Sequence, residues 1–277
     1  VLNDAIEASA RASSFTEESM SENTNSNTMR TALITGATRG LGYALARGLA
    51  RRGWNLIIDG RDAARLRNVR DELAELTHVA ALAGDVTDEE HRRELAILAR
   101  GHAGLDALIN NAGALGPSPL PSVLDLDLES LIEVLLTNVV APVALIQAVR
   151  GELKPRARLV NVTSDAAVNP YLGWGGYGAS KAAVEQISSV LATELATTHP
   201  DLRVYWVDPG DMRTDMHQAA FPGEDISDRP LPESRVPAFI RLLEDDLPSG
   251  RYEASRLLAR SRDDGASNQL VAAGASA

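Results

Sequence analysis

Cysteine is absent from all 277 residues, and this one omission excludes disulfides, thiolate nucleophiles and cysteine-ligated zinc. It accords with a reducing compartment, so a cytoplasmic location is expected. None of the five histidines lies at metal-ligand spacing from another, and no metal is expected. Basic residues are also scarce: 27 Lys and Arg stand against 38 Asp and Glu, giving a net charge of -11. Such a surface repels nucleic acid and anionic membrane, and neither a basic run nor aromatic-basic interleaving offsets it. Neither partner is expected. No apolar run approaches the roughly 20 residues of a bilayer span, and the N-terminus lacks the basic-then-apolar layout of a signal peptide. What the chain does have is 44% apolar and 23% charged residues, the composition of a soluble globular protein with a large core.

Residues 1–28 are rich in Ser, Asn, Glu and Thr and carry no sustained period, which predicts a flexible extension. Met29, directly before the first strand, and Met20 are candidate translation starts. From residue 30 short aliphatic runs alternate with helical stretches, the pattern of repeated βαβ units. Strands are predicted at 31–35, 55–59, 79–83, 107–110, 158–162 and 203–207. Helices are predicted at 41–52, 62–76, 88–101, 128–151 and 177–198. A last helix at 235–244 and a short strand near Tyr252 complete the elements. The expected fold is α/β: one domain over 29–262, with a doubly wound parallel sheet and helices on both faces. Residues 211–235, rich in Pro and Gly, are too long for an ordinary connection and predict a substrate lid; 263–277 predict a flexible tail.

The first strand runs into Thr35-Gly36-Ala37-Thr38-Arg39-Gly40-Leu41-Gly42, and a helix follows at once. Backbone N–H groups and the positive end of the helix dipole would converge there on a pyrophosphate. Gly36 would allow the tight turn, Gly40 the approach of backbone to phosphate, and Gly42 the packing of helix on strand. No Gly-Lys-Ser/Thr follows, which disfavours a nucleoside-triphosphate loop. Further along, Tyr177 and Lys181 stand four residues apart on one helix face and can act on one ligand. A free phenol has a pKa near 10, but a neighbouring ammonium and the helix N-terminus both favour phenolate.

The T-G-x-x-x-G-x-G turn and the Y-x-x-x-K pair resemble the short-chain dehydrogenase/reductase family over about residues 30–215. The resemblance implies a Rossmann fold and a nicotinamide-dependent oxidoreductase. Tyr177 would then be general acid or base, Lys181 its tuning partner, and Ser164 the hydroxyl that orients the substrate oxygen. Thr163 is a rival for the Ser164 role, and geometry must decide between them. Asn138 matches the asparagine that the family uses to hold a water near the lysine. Asn111, Ala112 and Gly113 would line the cofactor side of the sheet, Asp85 and Val86 would meet adenine, and Pro209, Gly210 and Thr214 would hold the carboxamide. With Gly36, Thr38, Arg39, Gly40, Leu41 and Gly42, these complete the expected cofactor contacts.

Gly60 falls where NAD enzymes of the family carry an acid, and Arg61 follows where NADP enzymes carry a base; Arg39 can approach the same phosphate. NADP(H) is therefore expected over NAD(H), with Asp59 turned away as a structural residue. Tyr171, Leu172, Trp174, Met212, Met216 and Phe221 would line an apolar pocket for a small carbonyl or alcohol. The helices at 128–151 and 177–198 could pair two subunits, so a homodimer is expected, with a tetramer as the alternative. Two rival functions remain: a cofactor-sensing regulatory protein, which would have no need of Ser164, Tyr177 and Lys181, and an epimerase or dehydratase, which would show a T-G-x-x-G-x-x-G turn and a larger substrate domain.

Overall fold

The computed structural model describes residues 29–259; the expected extension over 1–28 and tail over 263–277 lie outside them. The chain runs β1 (Thr31–Ile34), α1 (Gly40–Ala50), β2 (Asn55–Gly60), α2 (Ala63–Ala74), β3 (Val79–Ala83), α3 (Glu89–Gly101) and β4 (Leu105–Asn110). It continues through α4 (Leu128–Leu135), a π-helical turn (Leu136–Val140), α5 (Ala141–Val149), β5 (Leu153–Val162) and α6 (Gly175–Thr198). Then come β6 (Arg203–Asp208), α7 (Asp215–Ala220), α8 (Val236–Glu244) and β7 (Gly250–Glu253). All adjacent strands are parallel, in the order β3-β2-β1-β4-β5-β6-β7. The direction of winding reverses between β1 and β4, and outside the carboxyl ends of those strands a doubly wound sheet opens a crevice.

Both faces of the sheet are covered, so its inner strands read as unbroken apolar runs. Successive side chains point to opposite faces. Ile34 and Ile58 join Leu45, Trp54 and Phe239 in one core, while Leu33 and Ile57 join Leu95, Leu108 and Leu145 in the other. Helix starts follow local chemistry. Asp62 accepts from the N–H of Ala64 and Arg65, Asp88 from Glu90, and Asp127 from Ser130. α1, like α5, α6 and α8, has no capping side chain and no acid in its first turn, and its start lies at the crevice.

Three expectations are corrected. The single helix expected at 128–151 is broken by the π turn and ends in a 3-10 turn at Arg150–Glu152. The same stretch, Leu128–Glu152, is by length and composition apolar enough to cross a bilayer, contrary to the expectation of no such run. Its apolar character has a local cause: one side packs on α3 and α6, while Leu128, Ile132, Leu136 and Val140 form an exposed stripe on the other. The lid region over 211–235 is not wholly irregular, since Thr214 caps α7 by accepting from the N–H of His217.

Phe239 is wholly buried in the core that carries α1 and β1. Phe239→Ala is expected to cost about 3–5 kcal/mol, read as a lower urea midpoint with an unchanged slope.

Candidate active site

The crevice is formed by a close meeting of two backbone segments. Gly36 takes a φ of +66° that favours glycine, and a Cβ there would stand 3.0 Å from the Cα of Ala112. A Cβ on Gly42 would collide with the Asn111 amide and the Gly36 carbonyl, which is why helix and strand can pack so tightly. Asn111 Nδ2 donates to the carbonyls of Thr35 (2.9 Å) and Gly36 (3.2 Å). The Thr35 hydroxyl accepts from the N–H of Asn111 and of Ala112, both at 3.0 Å.

Beneath the turn, Asp59 is buried rather than turned toward solvent. Its Oδ1 accepts from the Gly36 N–H at 2.6 Å and its Oδ2 lies 3.1 Å from Nε2 of buried His91. Burial pushes the Asp59 carboxyl up, against the opposing bonds from His91 and Gly36. Gly84 makes room for the imidazole, because a Cβ there would collide with the ring. Asp59 is thus structural, as expected, and the turn rests on it. At the outer end, the side chains of Arg39 and Arg61 are 60% and 77% exposed. Arg39 pairs with Asp215 at 2.9 Å, and Arg61 lies 3.8 Å from Asp85.

At the inner end, Tyr177 and Lys181 are buried on the opening turns of α6. Lys181 Nζ donates to the Val162 carbonyl at 2.8 Å and lies 5.5 Å from the centre of the Tyr177 ring. The Ser164 hydroxyl donates to Asp165 at 3.0 Å and accepts from the Ala166 N–H at 3.2 Å. Thr163 donates its hydroxyl to Glu185 at 2.9 Å, whereas the Ser164 hydroxyl also hydrogen-bonds the Tyr177 phenol. Burial lowers Lys181 to about 8. The phenol of Tyr177 is pushed upward, first by burial and then by the carboxylates of Asp208 and Asp165, with the Ser164 hydroxyl opposing. The expected downward tuning by Lys181 is therefore outweighed here. Desolvation disfavours both the phenolate and the ammonium that would stabilise it.

Asn138 is buried, and its side-chain amide is taken up by protein: Oδ1 accepts from the Ala114 N–H (2.7 Å), and Nδ2 donates to the Ala114 carbonyl (2.8 Å) and Ser180 Oγ (2.9 Å). The Thr214 methyl faces Gly40, where an added Cβ would come within 3.5 Å of it, and the Thr214 hydroxyl is used as the α7 cap.

Apart from Gly42 and Asn138, which stand behind the wall, every catalytic and cofactor residue expected from sequence lines a single cleft of about 750 Å³. Leu115, Trp174, Met212 and Met216 line it too. Tyr171, Leu172 and Phe221 do not: Leu172 is fully exposed, and Tyr171 and Phe221 pack against Trp174. Asp59, expected to turn away from the cofactor side, also reaches the cleft, as do Asp165 and Asp208.

The short chain dehydrogenase family matches residues 30–225 of the chain. The chain belongs to that family. It is therefore an oxidoreductase, of a family whose members include NADP-dependent dehydrogenases. A serine 3-dehydrogenase from Agrobacterium fabrum is 38% identical over 188 residues, covering 67% of this chain and 73% of that protein. The NADP-dependent 3-hydroxy acid dehydrogenase YdfG of Escherichia coli K12 is 35% identical over 198 residues, covering 70% and 77%. A short chain dehydrogenase from Shigella flexneri complexed with NADP superposes with a TM-score of 0.76 at 31% identity, covering 82% of this chain and 97% of that one.

The buried lysine carries a stability cost. Its folded value of about 8 lies below the ordinary 10.5, so the unfolded chain binds the extra proton between those values and stability rises with pH through that window. Lys181→Met is expected to stabilise the protein by roughly 2–3 kcal/mol at pH 7, with the advantage shrinking between about pH 8 and 10.5. Urea unfolding at pH 7 and 9.5 reads the difference.

Proposed function

We propose that the protein is an NADP(H)-preferring reductase of an apolar ketone or aldehyde, reversible toward the secondary alcohol, with Tyr177 as the proton donor. The observation that carries this is the convergence of Ser164, Tyr177 and Lys181 on the inner end of the cleft whose other end is the glycine turn. The residues fit the dinucleotide. The uncapped start of α1 offers N–H groups to a pyrophosphate, the positive φ of Gly36 permits the tight turn, the missing side chain of Gly42 lets helix and strand pack closely, and the exposed guanidinium groups of Arg39 and Arg61 suit a 2'-phosphate. Asp85 and Val86 would border the adenine, and Pro209, Gly210 and Thr214 the carboxamide. When bound, the cofactor supplies or accepts the hydride.

The chain's own residues handle the proton and the substrate oxygen. Ser164 would hydrogen-bond that oxygen and orient it, and Tyr177, held neutral by burial and by Asp208 and Asp165, would donate its proton to it. A neutral phenol is poised for reduction, whereas the reverse reaction requires its deprotonation and is favoured by rising pH. Lys181 would supply positive charge beside the phenol. Asn138 would hold Ala114 and Ser180 in register around it. The apolar wall of Trp174, Met212 and Met216 supports an apolar substrate. Asp165 and Asp208 at the same end would repel a substrate carboxylate.

NADPH and NADH oxidation against a panel of ketones, aldehydes and quinones tests the assignment. Turnover of an apolar carbonyl is expected, with a 10²- to 10⁴-fold loss in Tyr177→Phe while NADPH binding is retained. No turnover across the panel, or full turnover in the variant, refutes it. Arg61→Ala is expected to weaken NADPH binding about tenfold and to spare NADH, read by fluorescence titration; equal losses overturn the NADP preference.

The exposed stripe of Leu128, Ile132, Leu136 and Val140 supports a homodimer through α4 and the π turn. Ile132→Glu is expected to convert a dimer to monomer in light scattering.

A further inference from the structure

Next to the catalytic residues of α6 lies a charged network that shares only Asp208 with the proton transfer above. Tyr177, Lys181, Glu185 and Ser188 succeed one another at three- and four-residue steps along one side of the helix. Glu185, which accepts the Thr163 hydroxyl, receives Nε of Arg251 at 3.0 and 3.2 Å. Arg251 reaches in from β7, where it pairs with Trp206 of β6. Its Nη2 lies 3.5 Å from Asp208 Oδ2 and 3.5 Å from the Ser164 carbonyl, and its Nη1 lies 3.4 Å from Glu253. One guanidinium therefore serves three carboxylates and the backbone of the substrate-orienting serine.

We propose that Arg251 is a positioning residue of the catalytic site: it compensates Asp208 and Glu185 together, ties the Ser164 carbonyl to β7, and limits the negative field in which the Tyr177 hydroxyl works. The groups facing Tyr177 are Ser164 and Asp165 after β5, Asp208 at the end of β6, and Lys181 on its own helix. Those facing Arg251 are Glu185 on α6, Asp208 on β6 and Glu253 on β7. Asp208 belongs to both sets and is the link between them. Burial raises the Asp208 carboxyl, while the Gly210 N–H and Arg251 act to keep it ionised. Without the guanidinium, Asp208 and Glu185 keep their charge at alkaline pH with no cation between them, and the phenol holds its proton more tightly.

The role rests on Tyr177 being the proton donor, but it is read without turnover. The chain is prepared with difluorotyrosine, whose phenol is more acidic and titrates within reach, and followed by 19F NMR against pH. Tyr177→Phe identifies the resonance among the five tyrosines. Arg251→Gln is expected to raise the Tyr177 midpoint by about one pH unit, Arg251→Lys by less than half of that, and Asp208→Asn to lower it. A purely structural role would give the two Arg251 variants the same effect. The proposal is overturned if Arg251→Gln leaves the midpoint in place, if the lysine variant moves it equally, or if Asp208→Asn does not lower it. Should Arg251→Gln fail to fold, Arg251→Met takes its place under the same criteria. A carbonyl panel without turnover would count against the reductase assignment and leave this titration standing.

Discussion

The contact on which the rest depends is the one between two stretches of backbone, the turn from Gly36 to Gly42 and the segment Asn111–Ala112. They meet at the reversal of strand order, between β1 and β4, where no connection crosses the crevice. A side chain at Gly42 would push them apart, and the amide of Asn111 holds them together by satisfying two carbonyls of the turn. No side chain caps the start of the helix that follows this turn, which opens at the cleft. The Asp59–His91 pair extends the same constraint downward. A carboxylate taken out of water must be compensated, and here one oxygen holds the Gly36 N–H while the other meets an imidazole. The position of the turn is thus fixed from below by β2 and α3 as well as from the side by β4.

The inner end of the cleft works under a different economy. A phenol and an amine are both buried, and burial drives their proton affinities apart, the phenol upward and the amine down to about 8. Neither shift favours the ion pair that adjacency alone suggests. Desolvation outweighs proximity because Lys181 donates to a neutral carbonyl of β5, while the anionic groups nearest the phenol, Asp208 and Asp165, oppose its ionisation.

What could be read from sequence follows from how local the signal is. The glycine turn and the Tyr177–Lys181 step are written in consecutive residues, and the structure gathers both around one cleft. The strands were legible for the same reason, as short aliphatic runs. Asp59 was read as structural, yet its partner His91, 32 residues on, carries no motif. The π turn at Leu136–Val140 was invisible because it keeps the composition of a helix while changing its register. The apolar wall was read too widely. Tyr171, Leu172 and Phe221 share the composition of Trp174 and Met212, but only tertiary packing decides which of them faces the cavity.

The family match ends at residue 225, whereas α8 and β7 lie beyond it. The matched part contains the glycine turn, the Asn111 clamp and the tyrosine–lysine face, whose geometry is fixed by backbone contacts that tolerate little change. The part beyond contributes Phe239 to the core under α1 and Arg251 to the carboxylates behind α6. Division of this kind has a physical basis. Holding a dinucleotide demands backbone N–H groups at fixed positions, but compensating Asp208 and Glu185 demands only a cation within reach, which any neighbouring element can supply. The edge strand β7 is such an element, and Arg251 reaches the charge at the ends of β5 and β6 without entering the cleft.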